Sequence, residues 1–578
     1  MSVPSIIRPP VRIQPVGQYR FQPVPSASPS GKISGPGFSI SSFRLRWALV
    51  LLSGLLLIPN IQNTSNPGQG DEVMHIATVH DSLESDSILY PELNGFVNYY
   101  KPPLLFWLGM ASEKVSEWLG MDQMLLAERI ISVFSSALAA LFIFELLLLY
   151  RAAPGTAFLW AAMYLSTLGV MKFGRLLMFE QIMAAHILAT LYLFARWLLA
   201  GGSGKLFSLG LLVGSSYLYK GALVPIYLVL GLLTWAFMQW VRTSGRFRAG
   251  INAQAIGPVI RAGIPVMAGA IIPLVAYALY LMGHPRGMDL VNYFLVFENA
   301  AKFVDANQGE WILLQGIILY SLPWTFLLLG SIRSLFRSSY SLVTPARQFA
   351  WLLVLAFLAV LLFHLVPHRK ADYYMLPLFG LLFVAGGLAP ARSMRSTQWL
   401  VVFLSITVSL SLMYLGHYVA ALTCTIPAMA AIYILISSPR DFRNAESREF
   451  KQILPGLVFS LLLPFTVFPA IFPPLLSGAA RERLNHESVC IISENPWSAL
   501  AYGAVLKESQ LKQRHPDLAG ECDGSSFIVE HDPAASLKGY RVLERHPVWK
   551  EASAAQYWNH LGNPESMQRS RIIYERNP

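Results

Sequence analysis

Charge is scarce in this sequence: Asp, Glu, Lys and Arg make up 13% of its 578 residues, against 54% hydrophobic residues and a mean hydropathy of +0.47. That balance excludes a wholly water-soluble globular protein and defines an integral membrane protein. Acids are absent from the first 46 residues, which carry Arg8, Arg12, Arg20, Lys32, Arg44 and Arg46. Cysteine is nearly absent too, with three in the chain. Cys424 lies in an apolar run, whereas Cys490 and Cys522 lie in a polar C-terminal stretch, where a disulfide in an oxidising compartment and two buried thiols both fit. A phosphate loop is missing: "GGSGKLF" has Leu199 where the first glycine should stand and Leu206 in place of Ser or Thr. No internal repeat supports an inverted-repeat transporter. Among the outer histidines His75, His80 and His284, no two have metal-ligand spacing.

Long apolar runs are abundant. A helix needs roughly 17 to 25 apolar residues to cross about 30 Å of hydrocarbon. Such runs predict spans near 47–62, 126–150, 155–172, 181–199, 206–219, 222–241, 262–282, 312–330, 349–366, 373–389, 398–415, 418–437 and 453–475. The expected fold class is an α-helical polytopic membrane protein with about thirteen transmembrane helices over 47–476 and a small C-terminal extracytoplasmic α/β domain over 477–578. Residues 1–46, rich in Pro, Ser and Gly, read as a disordered basic leader, and the first helix is expected to stay as an anchor.

Cytoplasmic loops hold Lys and Arg in excess. The leader, Arg151, "VRTSGRFR", Arg333 with Arg337, Arg392 with Arg395 and "SSPRDFRNAESREFK" therefore fall inside. The opposite face receives the loop 63–125, the Arg175–Glu180 corner, Lys220, the loop 283–311, the "HRKADYY" corner and the C-terminal domain. In that domain "SVCIIS", "SSFIVE" and "YRVLERHPVW" read as strands and "PWSALAYGAVLKES" as a helix, with no catalytic set. It is expected to cover a membrane cavity, help choose an acceptor, or serve as a structural cap. The net charge of +11 reflects basic loops facing anionic membrane lipids and gives no reason to expect nucleic-acid binding.

Charges beside a bilayer are costly unless solvated, paired or used, so their gathering on one face marks a functional site. Asp71 and Glu72 open "DEVMHIATVH". If a helix starts there, Asp71, His75 and Val79 share one face and the acids complement the helix N-terminus, so capping alone accounts for one of them. In "YYKPPLLFWL" two prolines stiffen the approach to the next helix and fix Lys101 at the interface. Arg175 and Glu180 in "KFGRLLMFEQ" fit a helix-end ion pair as well as a site. Lys220 interrupts "SSYLYKGALVP" with no acid close in sequence, so it seeks a headgroup phosphate or a bound anion. "HLVPHRKADYYMLP" sets His368, Arg369 and Lys370 against Asp372, Tyr373 and Tyr374, as a phosphate site or as an aromatic belt with basic anchors.

The order of Asp71-Glu72, "YYKPPLLFWL", "GRLLMFEQ", "YLYKGALVP", "ENAAKF" and "HRKADYYMLPL" resembles the dolichyl-phosphate-mannose protein mannosyltransferase superfamily, best its bacterial branch that includes aminoarabinose transferase. These are type C glycosyltransferases, multi-span enzymes that take sugar from a polyprenyl phosphate at the outer membrane face. The resemblance covers roughly residues 45 to 390. It implies a bacterial inner-membrane enzyme that passes a sugar from a polyprenyl-phosphate-linked donor to an envelope lipid, glycan or protein acceptor. Asp71 is then the base, Glu72 a supporting acid and Glu180 a sugar or acceptor contact. Lys101 becomes the phosphate contact, with Lys220, Arg369, Lys370, His75 and Arg175 as further cations. Tyr99, Tyr100, Glu298, Lys302, Tyr373 and Tyr374 become substrate contacts.

The chain departs from its relatives in three places. Tyr100 stands where some have the Glu that helps to hold a divalent metal, so that ligand is lost and no metal ligand is assigned; no cofactor is certain, and a divalent metal stays open as a weaker alternative. His75 replaces a common Arg and can meet phosphate as a cation only when protonated. Lys302 replaces another Arg and loses its bidentate fork. The competing reading is a polyprenyl-phosphate-sugar carrier, flippase-like and without catalysis; polar groups confined to one face favour the enzyme.

Overall fold

The computed structural model describes residues 40–61, 70–93, 95–98, 101–121, 124–243, 253–293, 309, 311–337, 344–389, 395–437, 445–471 and 475–493, and beyond these 502–503, 505–506, 509–514, 522, 524–531, 539–549 and 568–577. The leader up to residue 39 and most of "PWSALAYGAVLKES" lie outside the described residues.

The chain folds as a helical polytopic membrane protein. Its first third comprises α1 (Ile40–Leu57), α2 (Gly70–Glu84), the hairpin strands β1 (Glu92–Leu93) and β2 (Phe96–Val97), α3 (Leu104–Trp118), α4 (Met124–Leu149), α5 (Pro154–Leu165), α6 (Leu168–Phe173) and α7 (Phe179–Ala200). Among the described residues, seven helices are long and apolar enough to cross a membrane: Leu125–Leu149, Phe179–Ala200, Gly263–Met282, Pro345–Leu365, Arg395–Tyr414, Tyr418–Ile436 and Phe450–Ala470. Each coincides with an expected span. The span expected at 312–330 is two helices, Trp311–Tyr320 and Thr325–Phe336, bent by 105°, and is the eighth if the pair counts as one.

The other five expected spans fall on helices that miss the length or composition requirement. α1 carries Arg44 and Arg46 at its start. The span at 155–172 is divided at Ser166–Thr167, where the Thr167 hydroxyl accepts from Val170 N and starts α6 afresh. Ser203–Ser215 and Tyr217–Lys220 split the span at 206–219, and Leu223–Met238 and Asp372–Leu388 are short apolar helices. Side chains such as Leu233, Ile264, Leu279, Phe403 and Met429 stay exposed on the long helices, a surface suited to lipid rather than water.

One apolar cluster runs through the helical region, from Leu56 and Leu105 through Trp160 and Phe383 to Phe459. Glycine permits two of its close approaches. A Cβ at Gly109 would lie 2.6 Å from Val79 Cγ2, so α3 packs directly on α2; at Gly316 it would overlap the Asp372 carbonyl.

The C-terminal part forms a five-stranded sheet of β3 (Ser488–Ile492), β4 (Gln510–Arg514), β5 (Phe527–His531), β6 (Tyr540–Trp549) and β7 (Gln568–Arg576) in the order β4-β3-β5-β7-β6. β3 runs parallel to β4 and β5, while β7 is antiparallel to β5 and β6. The three strands expected from the sequence coincide with β3, β5 and β6. Alternation along β3 sends Val489 and Ile491 to one face and Cys490 and Ile492 to the other. Cys490 and Cys522 form a disulfide on the second face. The first face packs with Leu475, Leu476, Leu484 and, from α2, Val73, which joins the sheet to the helix that opens with Asp71.

Candidate active site

Helix α2 begins at Gly70 with Asp71 and Glu72 in its first turn, where carboxylates complement the helix dipole. It grips the corner before α7 through both backbone polar groups of one residue, Leu177. Leu177 N donates to Glu72 Oε1 at 2.8 Å, and His75 Nδ1–H donates to the Leu177 carbonyl at 2.9 Å. Residues three apart on a helix share a face, so a single stretch of α2 fixes the corner three residues ahead of Glu180. Glu72 is fully buried and takes a bidentate pair from Arg129 of α4, Nε to Oε1 at 2.8 Å and Nη2 to Oε2 at 2.9 Å. Arg129 also donates to the Ile61 carbonyl at 2.6 Å.

The hairpin is tied to the same helix. Asn98 Nδ2 donates to Thr78 Oγ1 at 2.9 Å, and Glu92 N donates to Ser82 Oγ at 2.8 Å. Just beyond it Lys101 stands half-buried before buried Pro102 and Pro103, the latter at the cap position of α3. The prolines remove backbone donors where none is needed and hold the lysine at a fixed angle to α2.

Asp71 is exposed, and the Tyr373 hydroxyl donates to its Oδ2 at 3.4 Å. Lys101 and Lys220 lie within electrostatic reach of Asp71's neighbour His75, and Glu180 feels Lys220, Asp71 and Lys101. Lys220 Nζ lies 3.9 Å from Glu180 Oε1 and 4.8 Å from the centre of the Phe179 ring. The acid that its own stretch of sequence lacks is therefore supplied by α7. Asp71, Lys101, Glu180, Lys220 and Tyr373 thus form one group drawn from five segments. Its chemistry is that of a carboxylate facing solvent beside two cations, able to receive a proton from a hydroxyl while an anion is held nearby.

Several expected site residues are differently employed. Glu72 is withdrawn from proton chemistry by Arg129 and Leu177. Arg175, expected at the phosphate, is buried and donates to the carbonyls of Leu57 at 3.0 Å and Pro59 at 2.7 Å, closing the end of α1. His75 lies between Phe106 and Phe179, with ring centroids at 5.8 and 5.0 Å, and burial pushes its imidazole down to about 4. It is neutral at pH 7, so the charge needed for a phosphate contact is missing. Arg369 is exposed and Lys370 buried on the "HRKADYY" corner, where Tyr374 packs at 5.5 Å from both Tyr373 and His364. Asp372 accepts from the Tyr320 hydroxyl at 2.6 Å. Tyr99, Tyr100, Glu298 and Lys302 lie outside the described residues.

Two features escape the sequence reading. Arg129 holds the framework from a run read only as a span; its signal was a Glu-Arg pair at the head of an apolar stretch. Farther along α2, His80 converges with Glu113 of α3 and Glu128 of α4, the one trio of His, Cys or acidic side chains among the described residues with the geometry to hold a metal ion. Burial by itself would lower the His80 pKa, but the Glu128 and Glu113 carboxylates push it up to about 10.

No protein-family profile matches the chain. It is similar to the undecaprenyl phosphate-alpha-4-amino-4-deoxy-L-arabinose arabinosyl transferase of Pectobacterium carotovorum subsp. carotovorum (strain PC1), 28% identical over 390 residues that cover 64% of each chain. The enzyme of the same name from Pectobacterium atrosepticum is 26% identical over 364 residues, 60% of each. The chain thus spans somewhat less than two thirds of these relatives' length. The crystal structure of ArnT from Cupriavidus metallidurans bound to undecaprenyl phosphate superposes with a TM-score of 0.61 at 13% identity, covering 92% of this chain and 98% of that one. The chain shares that fold, and the resemblance drawn from its motifs is upheld by similarity over most of its length.

Proposed function

We propose that this protein is an integral-membrane glycosyltransferase that moves a sugar from a polyprenyl-phosphate-linked donor to an envelope lipid, glycan or protein acceptor at the outer membrane face. The relatives' names make undecaprenyl phosphate the natural carrier and an amino-pentose a natural sugar. The observation that carries the reading is the Asp71–Tyr373 contact beside Lys101, Lys220 and Glu180. Asp71 takes the proton of the acceptor hydroxyl as that oxygen attacks the anomeric carbon. The bond to phosphate breaks, and Lys101, aided by Lys220, stabilises the charge left on the lipid phosphate. Tyr373 holds the Asp71 carboxylate in line, and Glu180 orients sugar or acceptor.

The N-terminus is assigned to the cytoplasm and the C-terminal sheet to the outer side, with about thirteen passages of the chain. The Cys490–Cys522 disulfide supports that side for the sheet, because such bonds persist in oxidising compartments. Packing of Val73 with the sheet supports its reading as a cover over the site.

The test is release of polyprenyl phosphate by purified protein from a panel of polyprenyl-phosphate sugars with envelope extract as acceptor source, Asp71→Asn alongside. Release that depends on Asp71 is expected. Saturable binding of polyprenyl phosphate without release from any donor would instead make the protein a carrier.

A further inference from the structure

Three helices, α2, α3 and α4, deliver one ligand atom each to a common point. His80 Nε2 lies 3.0 Å from Glu113 Oε1 and 3.2 Å from Glu128 Oε1, and all three candidate atoms fall within 4.8 Å of one another. Glu113 and Glu128 are buried, at 3% and 0% exposure. Despite the short separations and the ion-pair contacts they bring, neither His80 Nε2 nor either carboxylate oxygen of Glu128 makes a well-directed hydrogen bond. The donors therefore converge without pointing along one another's hydrogen-bond directions. That is the arrangement of ligands around a missing centre: with metal bonds of about 2.0–2.2 Å, tetrahedral ligand atoms stand about 3.4 Å apart.

Charge favours the same conclusion. With both carboxylates ionised and His80 protonated the cluster carries net minus one, an imbalance relieved by a proton on a buried carboxylate or by a bound cation; the nearby Glu72 charge is already matched by Arg129. A buried uncompensated charge is strongly unfavourable. A divalent ion with neutral His80 brings the trio to zero and ligates Glu128 oxygens that make no well-directed hydrogen bond. One nitrogen and carboxylate oxygens suit Zn²⁺ or a neighbouring transition ion rather than Mg²⁺ or Ca²⁺, which prefer all-oxygen sets.

We infer that His80, Glu113 and Glu128 form a structural binding site for one divalent transition cation of the Zn²⁺ class, which clamps α2 to α3 and α4. The clamp acts on helices that present Asp71 and Lys101, so it fixes the distance between base and phosphate contact without touching substrate. It is independent of the glycosyl-transfer reading and stands if that reading fails. No sequence motif announces it, because its ligands are distributed over three helices.

The experiment uses untagged full-length protein in detergent, incubated with Zn²⁺ or Mn²⁺, freed of excess by gel filtration and analysed for metal. About one ion per chain is expected in the wild type, with loss in both Glu113→Gln and His80→Asn. The melting temperature of the wild type should rise with added Zn²⁺, and that of Glu113→Gln should not. Zinc X-ray absorption should show nitrogen and oxygen ligands without sulfur. Substoichiometric metal in the wild type would overturn the inference and leave a protonated His80 between two carboxylates. Full retention by both variants would overturn it as well. If a variant does not fold, wild-type stoichiometry and absorption still decide.

Discussion

The Tyr373 hydroxyl donates to Asp71 Oδ2 at 3.4 Å across 302 positions of sequence. That contact joins the "HRKADYY" corner to the first turn of α2, on the exposed side where Asp71 stands. If Asp71 is the base, Asp71→Asn keeps size and hydrogen bonding but lowers transfer by roughly 10²–10⁴-fold. Tyr373→Phe removes one hydrogen bond and should lower transfer only about two- to tenfold. Initial rates of polyprenyl phosphate release measure both. A properly inserted Asp71→Asn protein with wild-type rates would remove Asp71 from that role.

Glu72 should behave oppositely. Its carboxylate is fully buried between Arg129 and Leu177 N, so Glu72→Gln leaves the guanidinium without its counter-charge in a dry site. The expected loss is about 3–5 kcal/mol of stability. It would be seen as a lower melting temperature and poor recovery of folded protein. Glu72→Leu combined with Arg129→Leu removes both charges and should be less harmful than the sum of the single changes. A Glu72→Gln protein with unchanged melting but abolished transfer would return Glu72 to the reacting centre.

Burial sets the pH behaviour of His75. Its imidazole is pushed from 6.5 down to about 4 in the folded protein, so the folded state resists protonation more than the unfolded chain does. The sign follows: stability is full above about 6.5 and is lost as pH falls through about 4. His75→Asn, which can still donate to Leu177, should flatten the fall in melting temperature over that window. Donor affinity should show no step near pH 6.5 that disappears in the variant.

The sequence exposed the long spans because apolar length is a local property. It exposed the start of α2 because Asp71 and Glu72 suit a helix N-terminus. It could not divide the labour between those two acids, since the partner that decides the matter, Arg129, is 57 residues away. Lys220 looked unmatched for the same reason: Glu180 meets it only after α7 and the short helix Tyr217–Lys220 are packed. The break at Ser166–Thr167 and the 105° bend after Tyr320 were hidden because hydropathy continues through both. Residues that look like site cations, Arg175 above all, were recruited instead to terminate a neighbouring helix.

Cys490 and Cys522 should be recovered as one linked peptide pair from non-reduced digests, with Cys424 alone modified by alkylating reagent after denaturation. Peptide mapping by mass spectrometry before and after reduction checks this. Three alkylatable thiols, Cys490 and Cys522 as well as Cys424, in protein taken directly from membranes would deny the disulfide and weaken the outer-side assignment of the sheet.

The Glu180–Lys220 pair offers a sharper separation of binding from chemistry. At 3.9 Å, Glu180 offsets part of the Lys220 field that would otherwise act on an anionic ligand. Glu180→Gln should therefore bind undecaprenyl phosphate more tightly, by a factor of about ten if the freed attraction is near 1.4 kcal/mol. Transfer should fall in the same variant, because Glu180 no longer orients sugar or acceptor. Lys101→Ala should instead weaken both donor binding and transfer, since its cation serves the phosphate in ground and transition states. Opposite movement of affinity and rate in Glu180→Gln, beside parallel movement in Lys101→Ala, assigns the acid to orientation and the lysine to phosphate. Parallel losses in both variants would mean that Glu180 helps to hold the donor itself.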